Sequence, residues 1–159
     1  DFMFKQGPTK AYAKTKFHDY NPAYQSLAHL PNVKVFMEQI QAYKEYLMVS
    51  GQDLMKQMME FDYLLAVGEL FTMVAYGHLI IESAKIEKIS DAVMNQMFDL
   101  FIRDFSAFAQ ELYGKPHNSD AQLEKIQKMF KRPVPDKEEF EKVLQEEVYS
   151  LVDVYHQNP

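Results

Sequence analysis

Apolar residues follow helical spacing over most of the chain, and the points where the spacing fails divide it into elements. Residues 1–31 show no sustained period. Gly7-Pro8, Asn21-Pro22 and Leu30-Pro31 mark turns there. Phe2, Phe4, Tyr12, Phe17, Tyr20 and Tyr24 recur between them, which predicts an extended aromatic arm lying on a larger body, with a helical turn near Pro22 to Ala28. From residue 32 the period is that of a helix. Asn32 stands as an N-cap after Pro31, and Val33, Phe36, Met37, Ile40, Tyr43, Tyr46 and Leu47 make one apolar face. Ser50-Gly51 predicts the end of this helix, with Gly51 as a left-handed C-cap.

A second helix is predicted from about Gln52 to Glu87. Its middle, Phe61 to Ile81, is apolar nearly all round, interrupted only by Asp62, Glu69, Thr72 and His78. Such a segment is expected at the centre of a bundle, enclosed by other elements. Asp62, Glu69, Tyr76 and Ser83 recur every seven residues and form a narrow polar stripe. That stripe reads either as a solvent-facing seam or as a surface toward a partner subunit or polar ligand. Gly68 and Gly77 lie inside the helix, each costing about 1 kcal/mol relative to alanine, which suits close approach of a neighbour.

A third helix is predicted to begin at Ser90 and close at Gly114-Lys115-Pro116, with an apolar face from Val93 to Leu112. Ser119 and Gln122 predict a capping box for a short helix to about Lys131. Arg132-Pro133-Val134-Pro135 is a stiff connector. A last helix is predicted from Asp136 to about Tyr155, with Glu139 reaching back to its start and a buried stripe of Phe140, Val143, Leu144, Val148, Leu151, Val152 and Tyr155. Together these define an all-α protein: an antiparallel helical bundle of three to four long helices plus short helices (32–159), preceded by the arm (1–31).

The 159 residues suffice for one domain with a core. Twelve Phe, ten Tyr and ten Met, without Trp or Cys, make that core large-ringed and adaptable and exclude disulfides and thiolate metal sites. The net charge of −6 argues against a nucleic-acid partner. Residues 1–31 carry four Lys against two Asp, so they are +2 and the remainder is −8. No apolar stretch marks a signal peptide at the start, and a cytoplasmic location is expected. Phe61 to Ile81 has the length to cross a membrane, but Asp62, Glu69 and His78 argue against a transmembrane segment. The chain starts at Asp1, from which a fragment of a longer product is expected.

Chemistry-bearing motifs are sparse. No Glu is followed by His three residues later, as a di-iron bundle requires. His78 and Glu82 are one helical turn apart, a weak hint of metal binding beside the plainer reading of a core-edge histidine. Phosphate-loop, nucleophile-elbow and cysteine-nucleophile patterns are absent. Arg103-Asp104, among Phe101 and Phe105, is the most pointed charged pair, with a surface or interface ion pair as its plainer reading. Lys5, Lys10, Lys14 and Lys16 could meet a phosphate or an acidic protein surface, or could belong to a solvated arm.

The segments FKQGPTK and KFHDYNPAY (within Phe4 to Tyr24), LPNVKVFMEQI, GELFTMVAYGHLIIE, FDLFIRDFSAFAQELYGKP and KRPV together resemble the C-terminal region of certain bacterial acyl-CoA dehydrogenases. The resemblance covers most of the chain and carries no catalytic motif. It implies an accessory helical domain of an FAD-dependent enzyme that removes hydrogens from Cα and Cβ of an acyl-CoA thioester. The proton-abstracting Glu of that family maps onto no position here. The chain alone is therefore expected to be inactive and to bind no cofactor, with FAD held by the parent enzyme. Its expected partners are the rest of the parent polypeptide or a second subunit, and a homo-oligomer is expected. Two other readings stay open: an independent bundle that binds a lipid or other apolar ligand, and a helix-mediated oligomerisation module. The surface candidates in either case are Asp62, Glu69, Tyr76, His78, Arg103 and Asp104.

Overall fold

Proline opens the first long helix. In the computed structural model, which describes residues 19–57 and 59–154, Pro31 is the first residue of a helix that runs to Gln57. Its missing N–H costs nothing at that position. In chain order the helices are α1 (Asn21–Ser26), α2 (Pro31–Gln57), α3 (Phe61–Glu87), α4 (Asp91–Tyr113), α5 (Asp120–Gln127) and α6 (Lys137–Val143), followed by a π-helical turn at Leu144–Val148 and a 3-10 turn at Tyr149–Leu151. No strand occurs among the described residues. The fold is an all-α bundle. The predicted contacts of Phe2, Phe4, Tyr12 and Phe17, of the four lysines before residue 18, and of Tyr155 lie outside the described residues.

Several boundaries move. Gly51 breaks the regular helix where the sequence predicts, with a positive φ of 45° and ψ −127°, so that α2 is two helical segments joined across a kink; the second of them is short. The second long helix accordingly starts at Phe61 and not near Gln52, because Glu60 is extended (φ −85°, ψ 116°) and breaks the path. Asn32 lies inside α2 and is no N-cap. Its amide reaches across instead: Nδ2 donates to Asn95 O at 3.1 Å, and Oδ1 accepts from Val134 N at 2.8 Å. Ser90 caps α4, accepting from Val93 N, and Ser119 with Gln122 forms the predicted capping box on α5. Gly114 ends α4 in the right-handed region, with φ −73°.

The last helix departs furthest from expectation. Only Lys137–Val143 is α-helical, and none of Phe140, Val143, Leu144, Val148, Leu151 and Val152 is buried. α6 packs on α4, but the part of the predicted stripe beyond it, Val148, Leu151 and Val152, stays exposed. Asp136 does cap α6 by accepting from Glu139 N at 2.9 Å, but the Glu139 carboxylate turns to Asn95 Nδ2 (2.6 Å) and Gln96 Nε2 (3.0 Å) in α4.

The central helix is α4, which packs against α2, α3, α5 and α6. Its inner face of Met94, Phe98, Phe101, Ile102, Phe105 and Leu112 meets Phe36, Tyr43 and Tyr46 of α2 in a ring cluster, with Phe36 within 5.6 Å of Phe98, Phe101 and Phe105. α1 adds Tyr24, 1 % exposed, whose hydroxyl donates to Val74 O of α3 at 2.7 Å. Rings therefore occupy the space among α1, α3 and α4.

The expectation that α3 is enclosed is overturned. One face, with Tyr63, Ala66, Leu70, Val74 and Ile81, is buried on α4, α1 and α2. The opposite face is bare: Phe61 is 73 % exposed, Leu79 65 % and Ile86 77 %. Among the described residues no helix covers this second side of the rod.

Candidate functional site: the open face of α3

The outward positions of α3 form a seam. Phe61, Leu65, Gly68, Thr72, Ala75, Leu79 and Ile86 follow one another at alternating steps of four and three, with Glu82 completing the series. A repeat of 3.5 residues keeps one straight line of side chains facing a neighbouring helix. Large residues occupy the two ends and small ones the middle. A Cβ built on Gly68 would meet nothing within 4 Å, so this glycine faces open space. α3 is also long and apolar enough to cross a bilayer by length and composition; among the described residues it alone meets that test.

The seven-residue polar stripe borders this seam and is more committed than a solvated seam would be. Asp62 Oδ2 accepts from Lys115 Nζ at 2.8 Å, tying the start of α3 to the end of α4. Lys115 also binds Glu111 at 3.0 Å, and Asp62 first, then Glu111, raises its ammonium pKa. Tyr76 lays its ring on Phe101 of α4, 5.6 Å between centroids at 31°. Glu69 is half-buried, and its Oε2 has no hydrogen-bond partner. Ser83 is exposed.

His78 is half-buried in a surface depression lined by Asp19, Pro22, Ala23, Leu79, Glu82 and Lys85. Glu82 pairs with Lys85 at 2.9 Å, and this hydrogen bond holds its carboxyl below the usual range. Glu82 is therefore engaged along its own helix and does not join His78 in a ligand pair. Among the described residues no three His, Cys, Asp or Glu side chains gather to hold a metal ion. Arg103 and Asp104 separate: Arg103 Nε donates to Asp99 Oδ1 at 2.5 Å one turn back, and Asp104 is exposed.

Sequence reasoning missed a buried polar cluster beneath the α2–α3 break. Tyr46 Oη lies 2.5 Å from Tyr63 Oη, and Tyr63 donates to Asn118 Oδ1 at 3.0 Å. Gln122 Nε2 donates to Ser50 Oγ and to Gln57 Oε1, each at 2.9 Å. The Ser119-Gln122 capping pair was the one visible sign of it. Burial pushes both phenols up from the ordinary tyrosine range. The cluster holds no carboxylate or imidazole to accept a proton at neutral pH, so its chemistry is structural: it joins α2, α3 and the α4–α5 connection.

Two side-chain groups thus stand out: a satisfied internal network, and an apolar helix face left without cover. No protein-family model, curated protein or solved structure matches the chain.

Proposed function

We propose that this chain is a non-catalytic helical packing domain of an FAD-dependent acyl-CoA dehydrogenase, seated through α3 on the catalytic body or on a second subunit. The bare face of α3 carries this reading. A contiguous apolar patch spanning a helix of about 40 Å is a docking surface in a protein that works in water. The segments that carry the resemblance, Gly68 to Glu82 and Phe98 to Pro116, are the helices α3 and α4 that build this face and support it. The described residues add anchoring polar contacts and no reactive constellation, which suits a part that acts by packing. FAD and the acyl-CoA thioester belong to the parent body in this reading, and the protein works in the cytoplasm.

The test is to read the gene upstream of Asp1 and to assay the purified chain. Flavoprotein sequence upstream, with neither flavin absorbance nor acyl-CoA turnover in the chain alone, supports the proposal. A start codon directly before Asp1, or turnover by the isolated chain, overturns it.

A further inference from the structure

The spacing of the seam on α3 is palindromic. Reversed end for end about a point between Thr72 and Ala75, its positions fall back on themselves. Phe61 then meets Ile86, Leu65 meets Glu82, Gly68 meets Leu79, and Thr72 meets Ala75. The empty place over Gly68 receives the large side chain of Leu79, and the small central residues let two helices cross closely. We propose that α3 pairs antiparallel with α3 of a second copy of this chain. The proposal rests on the reading of α3 as a covered face and names what covers it.

Three observations select a second copy. The first is this size complementarity of the seam with its own reverse. In an antiparallel pair each knob enters a hole on the facing helix, and here the largest hole, at Gly68, sits opposite an exposed leucine. A parallel pair would instead stack Gly68 on Gly68 and set Glu82 against Glu82.

The second is the use of glycine. Gly77 is in the same helix for a visible reason, because the Tyr24 hydroxyl occupies the place of its missing Cβ. Gly68 has no such neighbour among the described residues, although a glycine weakens a helix wherever it stands. A helix from another molecule supplies that neighbour.

The third is area. Phe61, Leu65, Tyr76, Leu79 and Ile86 are between half and three-quarters exposed. They present roughly 600 Å² on each copy if a bare large side chain offers about 200 Å². A stable interface takes about 800 Å² per partner, and Thr72, Ala75 and the flanking positions supply the difference. Each copy carries −6, so added salt screens the repulsion and tightens the pair.

Sedimentation equilibrium of the whole chain, with and without added salt, is the first test. The chain is expected as a dimer that salt strengthens, and Leu79→Asp as a monomer with unchanged helix content, since this side chain is exposed in the single chain. Because the chain has no cysteine, cross-linking reads the register directly. Gly68→Cys mixed with Leu79→Cys is expected to form a mixed disulfide at least tenfold faster than either variant forms one with itself. Self-linking of Gly68→Cys at an equal rate overturns the antiparallel pair. A wild-type monomer at all concentrations overturns pairing altogether. A monomer that instead floats with phosphatidylcholine vesicles overturns it in favour of a lipid cover. None of these results bears on the upstream reading frame, so this inference can fail while the parent-enzyme reading stands, or the reverse.

Discussion

The hydroxyl of Tyr24 fills the space where a Cβ on Gly77 would stand, and from there it donates to Val74 O at 2.7 Å. This contact locks α1 onto α3. Tyr24 cannot swing away freely, because Phe36 and Phe98 hold its ring at 5.9 and 6.1 Å. Gly77→Ala therefore overpacks the contact and is expected to cost about 1–2 kcal/mol despite its better helix propensity. Gly68→Ala, made in the monomeric Leu79→Asp background, meets open space and is expected to gain up to about 1 kcal/mol. Denaturant melts of the two variants should move in opposite directions; equal shifts would contradict the packing described.

Gln39 holds three elements together from a fully buried position. Its Nε2 lies 3.1 Å from Ile102 O, 2.9 Å from Ser106 Oγ and 2.8 Å from Met129 O, while its Oε1 has no partner. Gln39→Leu keeps the volume but leaves the Met129 carbonyl only the longer bond from Ser106 Oγ at 3.5 Å, and is expected to cost about 1–3 kcal/mol. Gln39→Glu should cost more, since it aims a carboxylate at carbonyl oxygens and removes the donor. Chemical denaturation that ranked the two the other way would show that the amide is not the donor here.

How far these contacts could be read beforehand depended on their range. The starts of α4 and α5 were legible because Ser90 and Ser119 each act on a residue three positions away. The ring-rich faces of α2 and α4 were legible from spacing. The break at Glu60 was not, because an apolar run looks continuous when only periodicity is considered. Asn32 looked like a cap because local rules cannot see Asn95 and Val134, 63 and 102 positions away. The stretch from Phe140 to Val152 carried a helical apolar stripe, yet only its first part, in α6, packs on α4, and Val148, Leu151 and Val152 stay exposed. The seven-residue repeat through Asp62 and Glu69 was visible, but the adjoining seam through Leu65 and Leu79 was not singled out. An all-round apolar helix gives no sign of which side its own chain will cover.

Tyr24, Tyr43, Tyr46 and Tyr63 are buried, and burial raises each phenol above its ordinary value. Below about pH 10 folded and unfolded chains both keep these protons, so stability is unaffected. Above it the unfolded chain releases protons that the fold retains, and stability falls by up to about 1.4 kcal/mol per pH unit for each phenol. Four of the ten tyrosines should thus ionise only as helix is lost, in one alkaline transition. Ionisation of all ten near pH 10 with the helices intact would contradict their burial.

Residues 145–154 are all exposed. A chain ending at Leu144 is therefore expected to melt within about 0.5 kcal/mol of the full chain, as surface changes do. Glu139→Ala, by contrast, removes the acceptor shared by Asn95 and Gln96 and is expected to cost about 1 kcal/mol. Calorimetry of both distinguishes a tail that merely follows α6 from one that supports the bundle.

Carbene footprinting over a dilution series asks most directly whether the open face of α3 is covered in the working protein. Labelling of Leu65, Leu79 and Ile86 should be low in concentrated protein and rise together on dilution, while Leu100 of α4, 62 % exposed, stays constant as the internal reference. Strong labelling of all four at every concentration would contradict the account.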